Sequence, residues 1–446
     1  MSSPIISVAG IRGIVGDSLP PDEFLRYVLA FASTRKGGRR IAVGGDSRIS
    51  RAMYRRLVFA GLESMGFEAI DLGVCPTPTV GLMTRETRAA GGIAITASHN
   101  PAEWNALKFF SGDGVFLDQD EFNEVLAARE KGAFRFASWD ALGRVAQHPD
   151  PVGPHLERVL AAVDARAIRQ RKLKVAADLC NGAGTAILPR LFRLLDVEAE
   201  CILTDINAPF ERGAEPLPEN LGALCNAVRA TGADLGLAVD PDADRLALVD
   251  ESGRPIGEER TLTLCADHWL KRETTPIVAN LSTTRALDDV AARHGVKVHR
   301  TKIGEAHVVA AMKRIGAAIG GEGNGGVIAP SIHPGRDAAA GAALILEALA
   351  KSRMKLSELN ATIPDYAIVK SKVSIEGRNI AKILPQIEQA LGEPEARSDI
   401  DGLKLEFANG WVHVRASGTE PIIRIFAEAA TEEIARHWIE RIEKIV

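Results

Sequence analysis

The densest chemistry in the sequence is Asp240-Pro241-Asp242-Ala243-Asp244-Arg245, which follows the apolar run Leu235-Gly236-Leu237-Ala238-Val239. Three carboxylates at alternate positions repel one another unless a cation sits among them, and hard carboxylate oxygens suit Mg²⁺ or Ca²⁺. Asp240, Asp242, Asp244 and Glu251 also fall at positions 1, 3, 5 and 12 of an EF-hand calcium loop. Position 6 is then Arg245, where that loop needs glycine, and Leu246 to Val249 read as a strand, which counts against the EF-hand. The plain alternative is a solvated acidic turn.

Three further stretches carry reactive or ligand-binding residue types. In Gly91 to Pro101, GGIAITASHNP, a buried strand ends in a hydroxyl, an imidazole and an amide. Loops at the C-terminal ends of parallel strands are where α/β proteins place ligands, which makes Ser98 a candidate reacting group. Asn100, Pro101 and Glu103 suit the cap and first turn of a helix, a structural role that leaves Ser98 and His99 unexplained. Arg415-Ala416-Ser417-Gly418-Thr419-Glu420-Pro421, with Arg424 beyond, offers two guanidinium groups, two hydroxyls and a backbone nest to a phosphate; an ordinary polar turn is the alternative. Gly320 to Gly326 holds five glycines in seven residues and is expected to expose Glu322 and Asn324 to a polyhydroxyl ligand, or to be a bare turn. It is no P-loop, because no Gly-Lys-Ser/Thr follows. Arg12 lies between Gly10 and Gly13, which would let a phosphate approach. Lys108 follows the serine loop and Lys302 precedes Gly304-Glu305; read singly, each of these three is a surface cation.

Alternating strand and helix patterns must position these loops. Ile41–Asp46, Ser50–Met65 and Glu68–Gly73 read as strand, helix and strand. The rhythm restarts at Lys172–Asp178, Gly184–Leu195 and Glu198–Leu203, and again at Pro276–Leu281, Thr284–His294 and Lys297–Thr301. This is the pattern of α/β layers with mostly parallel strands. The proline-rich stretch from Gln147 to Pro154 reads as a linker. Past Pro364 the style changes to strands at Ile368–Ile375, Leu403–Ala408, Trp411–Arg415 and Ile422–Ala427, with helices at Asn379–Leu391 and Thr431–Ile445. Asn409-Gly410 is a two-residue hairpin signal there.

Composition sets outer limits. The 446 residues carry a formal net charge of −4, and no basic run points to nucleic acid or a membrane surface. Apolar stretches fall short of the roughly 20 residues that span a bilayer. No basic segment precedes an apolar one at the N-terminus, so no signal peptide is expected. Five scattered cysteines without a C-x-x-C pair read as reduced thiols of a cytoplasmic protein.

Taken together and in order, the four loops resemble the α-D-phosphohexomutase family across essentially the whole chain, with TASHNP, DPDADR and RASGTEP as the specific motifs. The resemblance implies an α/β fold of heart-shaped, four-domain architecture: three similar mixed α/β domains at 1–147, 148–252 and 253–364, and a smaller α+β domain at 365–446. It implies an isomerase, an intramolecular phosphotransferase that interconverts hexose 6-phosphates and 1-phosphates. Ser98 would carry a phosphoryl group and donate it to the substrate, and the hexose 1,6-bisphosphate would turn round and return its other phosphate.

On that resemblance, Asp240, Asp242 and Asp244 hold one Mg²⁺ per chain together with an oxygen on Ser98, and hexose 1,6-bisphosphate is the activator. Arg12, Lys108 and Arg245 neutralise the phosphoryl group, and His99, Lys108 or Glu305 carries the proton. Lys302, Glu305, Glu322 and Asn324 meet the sugar, while Arg415, Ser417, Gly418, Thr419 and Arg424 hold the non-reacting phosphate.

Many members read Gly-Glu-x-Ser-Gly-His in the sugar loop, where this chain has Asn324 and Gly326; many also have histidine where it has Glu305. With Glu103–Lys108 and Glu215–Leu221, the GEGNGG loop is similar to the archaeal-type phosphoglucosamine mutase branch. Glucosamine phosphate is therefore the expected substrate, with phosphomannomutase/phosphoglucomutase activity as the alternative. A non-catalytic sugar-phosphate- or metal-binding protein and an aspartate-nucleophile phosphatase are remoter readings. The expected partners are small hexose phosphates, with no nucleic acid or membrane; a homo-oligomer is compatible with the sequence.

Overall fold

The computed structural model describes residues 3–375, 378–416 and 422–446. It divides into two compact units, Met1–Thr261 with Asn324–Leu359, and Leu262–Gly323 with Asn360–Val446.

In the first unit, β1 (Ile5–Ser7), β2 (Gly10–Ile14), β3 (Arg40–Gly45), β4 (Glu68–Val74), β5 (Gly91–Ile95), β6 (Trp104–Ser111) and β7 (Arg144–Gln147) form a mixed sheet in the order β1-β2-β6-β5-β3-β4-β7. Strands β3, β4, β5 and β7 run parallel, and β6 is antiparallel to both β5 and β2. Helices α1 (Pro21–Thr34), α2 (Arg51–Ser64), α3 (Thr77–Glu86) and α4 (Gln119–Lys131) flank it. Apolar faces recurring at helical spacing on α1 and α2 bury Phe24 on Tyr54, ring centroids 4.0 Å apart, and Phe31 on Phe109 at 4.4 Å.

Next come α5 (Gly153–Ala162), α6 (Ala165–Arg171), β8 (Lys174–Asp178), α7 (Gly184–Leu194), β9 (Glu198–Ile202), α8 (Gly222–Thr231), β10 (Leu235–Val239) and β11 (Leu246–Asp250). The second sheet has the order β11-β10-β8-β9, parallel but for β11. The aspartate loop is thus the turn that reverses the chain between two fully buried strands.

Helix α9 (Glu259–Leu270) leads into the second unit, where β12 (Ile277–Asn280), α10 (Ala286–Arg293), β13 (Val298–Thr301), α11 (Glu305–Ile315) and β14 (Ile319–Glu322) follow. Strand β12 pairs in parallel with both β13 and β14. The chain returns to the first unit for β15 (Gly326–Ile328), α12 (Ala338–Ser352) and α13 (Leu356–Ala361, of which Asn360 and Ala361 fall in the second unit). The C-terminal part is an antiparallel sheet, β16 (Ala367–Ser374), β17 (Ala396–Ser398), β18 (Leu403–Phe407), β19 (Gly410–Ala416) and β20 (Ile422–Ala429), ordered β16-β20-β19-β18-β17. Helices α14 (Ile380–Leu391) and α15 (Glu432–Glu443) bury their apolar faces with Val412, Val414, Ile423 and Ile425.

Three expectations change. No helix starts at Pro101: residues 98–103 form a turn, and Trp104 onward is β6. The aromatic-rich WNALKFFS suits a strand that can pair on both edges, and that pairing overrides the cap signal. The expected linker is short, with β7 ending at Gln147 and α5 starting at Gly153 behind a bond from Gly153 N–H to Asp150. The hairpin turn also sits one residue earlier than Asn409-Gly410. Gly410 is already in the strand, where a Cβ would stand 2.0 Å from the Glu428 carbonyl oxygen. Among the described residues, no helix is long and apolar enough to cross a membrane.

Candidate active site

The serine loop follows buried β5. Ser98 is 1 % exposed and adopts φ +50°, a left-handed conformation that costs a non-glycine residue about 1–2 kcal/mol. The structure holds it there from several sides. The buried Arg48 guanidinium donates to the carbonyls of Ser98 (2.6 Å), Asn100 (2.7 Å), Pro101 (2.5 Å) and Trp104 (3.1 Å). Asp46 anchors Arg48 at 3.1 Å and accepts from Thr96 Oγ1 at 2.6 Å; that oxygen in turn accepts from the Ser98 N–H at 2.9 Å. A buried carboxylate with these partners fixes a loop that carries no secondary structure of its own.

Ser98 Oγ donates to Asp240 Oδ2 at 3.1 Å, joining the serine loop to the aspartate loop. The three carboxylates are fully buried, and each offers an oxygen within 4.8 Å of the others. Asp240 Oδ1 accepts from the N–H groups of Asp244 and Arg245. Burial, then the charges of Asp244 and Asp242, push the Asp240 carboxyl well above its ordinary range. Burial also acts to raise Asp242, but the Lys108 ammonium at 2.7 Å and the Thr77 hydroxyl at 2.5 Å outweigh it and hold it far below. Asp242 Oδ1 and Asp244 Oδ1 are buried without a hydrogen-bond partner. Buried carboxylate oxygens without a hydrogen bond are costly, and a hard divalent cation satisfies them. These residues fit such an ion.

Cations ring the aspartates. Lys108, read from sequence as a surface residue, is 1 % exposed and also lies 3.9 Å from Asp244. Its length lets it reach the aspartates from the middle of β6. Arg245 donates to Glu215 Oε1 (2.7 Å) and to His99 Nδ1 (2.8 Å). His99 is held well below its usual pKa by burial and then by Arg245, Arg12 and Arg336, so it is neutral with its proton on Nε2. Arg12 donates to Asn100 Oδ1 at 3.2 Å, and burial lowers it to about 10. The glycines beside Arg12 serve packing and not ligand approach. A Cβ at Gly10 would be 2.7 Å from the Leu107 carbonyl oxygen, and one at Gly13 the same distance from Leu19 Cβ.

Sequence reasoning missed Arg336, which donates to Asp244 Oδ2 at 2.7 Å. It also accounts for Gly326: a Cβ there would be 2.2 Å from Arg336 Cδ. Asn324, on the same turn, accepts from Gly326 N–H at 3.2 Å. Arg48 and Thr77 were missed as well; a polar residue at the end of a buried strand, Asp46 after β3, was the available signal for the first.

In the second unit, Glu322 is buried and not exposed as expected. Its Oε1 accepts from Asn280 Nδ2 (2.8 Å) and Gly304 N–H (2.9 Å), which ties the carboxylate of the glycine-rich loop to the turn carrying Lys302 and Glu305. Lys302 is exposed and Glu305 opens α11. Arg415 and Arg424 are direct cross-strand partners on β19 and β20. Like charges directly opposite destabilise a sheet, and Asp401, 3.5 Å from Arg415, offsets part of that. Ser417, Gly418 and Thr419 lie outside the described residues.

Family models match along the chain: phosphoglucomutase/phosphomannomutase α/β/α domain I over residues 5–136, domain II over 154–253, domain III over 258–366 and the C-terminal domain over 368–445. The chain belongs to the phosphoglucomutase/phosphomannomutase family. A Thermococcus kodakarensis protein named phosphoglucomutase/phosphomannomutase is 40 % identical, with 97 % of this chain and 96 % of that one covered. A Methanopyrus kandleri protein named "Probable phosphoglucosamine mutase" is 36 % identical over 98 % and 96 %. A solved phosphoglucomutase/phosphomannomutase family protein from Burkholderia thailandensis superposes with a TM-score of 0.84 at 25 % identity, covering 99 % of this chain and 97 % of that one. The family's enzymes are phosphomutases, hence isomerases, and are metal-dependent; the aspartate triad of this chain could bind a metal ion. The third matched segment is shared between the two structural units, since β15 and α12 belong with the aspartate loop.

Proposed function

We propose that this phosphohexomutase converts glucosamine 6-phosphate to glucosamine 1-phosphate through a phosphoserine at Ser98 and a hexose 1,6-bisphosphate. The observation that carries the reading is the bond from Ser98 Oγ to Asp240, which puts a fixed serine beside buried carboxylates with two unsatisfied oxygens. Asp240, Asp242 and Asp244 would hold Mg²⁺, which supplies positive charge to the transferring phosphoryl group.

The chain's own residues do the rest. In the first half-reaction the P–O bond to Ser98 Oγ breaks as a sugar hydroxyl oxygen forms its own. The proton lost by the sugar hydroxyl is balanced by the one Ser98 Oγ gains, and the hydroxyl so formed is the donor to Asp240. The second half reverses both changes at the other end of the sugar. His99 cannot take the proton on Nδ1 while Arg245 donates there, which leaves Glu305, or Lys108 once its ammonium has given up a proton, as the carrier. Arg12, Lys108 and Arg245 supply charge complementary to the phosphoryl oxygens, and phosphoryl transfer depends mainly on such alignment and neutralisation. Glu322, Asn324, Lys302 and Glu305 would each contact the sugar. Arg415 and Arg424, with Ser417, Gly418 and Thr419, would hold the phosphate that does not react. Hexose 1,6-bisphosphate would restore enzyme that has lost its phosphate.

Glucosamine preference rests on the GEGNGG loop and on the Methanopyrus relative's name. The Thermococcus relative's name favours a second reading, mannose and glucose phosphates as substrates. Comparing kcat/KM for glucosamine 6-phosphate, mannose 1-phosphate and glucose 1-phosphate separates them. A glucosamine preference of about tenfold, roughly 1.4 kcal/mol in transition-state binding, is expected. Equal or greater activity on mannose or glucose phosphate overturns the preference and leaves the phosphoserine route standing.

A further inference from the structure

Behind the aspartate loop lies a buried polar chain that the reaction itself does not use. Thr79 Oγ1 meets His155 Nδ1 at 2.8 Å, and His155 Nε2 meets Asp337 Oδ2 at 2.6 Å. All three residues are at most 1 % exposed. The Asp337 carboxylate only accepts, so His155 Nε2 carries a proton, and the other ring nitrogen faces the Thr79 hydroxyl. The three residues come from α3, α5 and the N-cap of α12, far apart in sequence.

The two helices joined in this way both grip the aspartate loop. At the start of α3, Thr77 donates its hydroxyl to Asp242 Oδ2 (2.5 Å), and its N–H goes to the Asp242 carbonyl (3.0 Å). At the start of α12, Arg336 holds Asp244 Oδ2 (2.7 Å), and the Ala338 N–H goes to the Ala243 carbonyl (3.2 Å). Asp337 is anchored from the other side by the N–H groups of Ala339 and Ala340. Ala243, between the two gripped aspartates, is held at φ +51°, a strained conformation for alanine. A rigid brace is what keeps such a turn in place.

We propose that His155 is a positioning residue for the metal-holding loop: with Thr79 and Asp337 it fixes the distance between the helix starts that hold Asp242 and Asp244. This rests on the metal reading of the three aspartates. Without the brace, the two carboxylates can relax apart, and the loop loses affinity for the ion before the fold is lost. Groups that orient ligands from behind typically change metal affinity by about 10–100-fold when removed.

The test is Mn²⁺ binding to metal-free protein, followed by electron paramagnetic resonance or calorimetry, for wild type, Thr79→Val, His155→Gln and Val159→Ala. Val159 is a buried apolar residue of α5 outside the chain of hydrogen bonds, and its truncation controls for lost packing. Folding of each variant is verified by circular dichroism at the assay temperature. Thr79→Val and His155→Gln are expected to weaken Mn²⁺ binding about tenfold, with Val159→Ala within about twofold of wild type. Unchanged binding in both brace variants, or an equal loss in Val159→Ala, overturns the positioning role. Failure of the wild type to bind Mn²⁺ overturns the metal reading instead, and the brace's proposed purpose with it.

Discussion

The serine–aspartate centre and the paired arginines of the C-terminal sheet treat charge in opposite ways. At the first, Ser98, Lys108 and all three aspartates are at most 1 % exposed and nearly every charged group meets another at hydrogen-bond distance. At the second, Arg424 is exposed and Arg415 half-buried on neighbouring strands, with Asp401 3.5 Å from Arg415. Desolvated, prearranged charges act most strongly where a reaction redistributes charge. Exposed cations suit a group that must bind and leave repeatedly. The difference fits the proposed reading, in which the first region carries the chemistry and the second holds the phosphate that does not react.

If that division holds, losses at the first region fall on kcat and losses at the second on KM. The largest effect belongs to Ser98→Ala, expected to lower kcat by about 10⁴-fold or more, as removal of a serine nucleophile does. Steady-state assays with added hexose 1,6-bisphosphate check it, and activity within tenfold of wild type would remove Ser98 from the reaction. Asp244→Asn should lower kcat by about 10²–10³-fold, the scale of losing one prearranged electrostatic group. That loss should be accompanied by a raised Mg²⁺ requirement in a metal titration. Arg424→Ala should raise KM for the hexose phosphate about tenfold, one charge-assisted contact, with kcat little changed. A fall in kcat with KM unchanged would erase the contrast between the regions.

A last prediction concerns acid stability, and each unit has a buried histidine to report it. Burial lowers His333 in the first unit to about 3 and His413 in the second to about 4. In the unfolded chain each imidazole gains its proton near pH 6.5. Between that value and the folded one, the unfolded state binds the extra proton, so stability declines as pH falls. The slope is at most about 1.4 kcal/mol per pH unit for each histidine. Hydrogen exchange at stepped pH should show protection falling below pH 6.5 in both units, levelling off for the His413 contribution near pH 4 while the His333 contribution persists to lower pH. Flat protection across that range would mean that neither imidazole is held neutral.

Much of this was legible in the sequence, because local signals and global fold agree. The strand–loop–strand frame of the aspartate loop reads directly from LGLAV, DPDADR and LALV. Ser98 stood out because no structural role consumed it. What stayed hidden depends on contacts between distant segments. Arg48 reaches Ser98 across 50 positions, Arg336 reaches Asp244 across 92, and Thr77 reaches Asp242 across 165. Read singly, Lys108 is a surface cation, as a lysine in a strand normally is; here two aspartates make its burial tolerable. The false helix start at Asn100-Pro101 shows a local cap signal losing to strand pairing on both edges of β6. Gly326 read as a departure from the family's histidine, and only the structure shows the space it leaves for Arg336.

The most direct test of the central claim is where phosphate resides on the protein during turnover. Enzyme treated with hexose 1,6-bisphosphate and Mg²⁺, then digested and mapped by mass spectrometry, should carry one phosphate on the peptide containing Ser98. Incubation with a hexose monophosphate should remove it and yield the bisphosphate. A phosphate found on Asp240, Asp242 or Asp244, or release of inorganic phosphate in place of bisphosphate, would contradict the account.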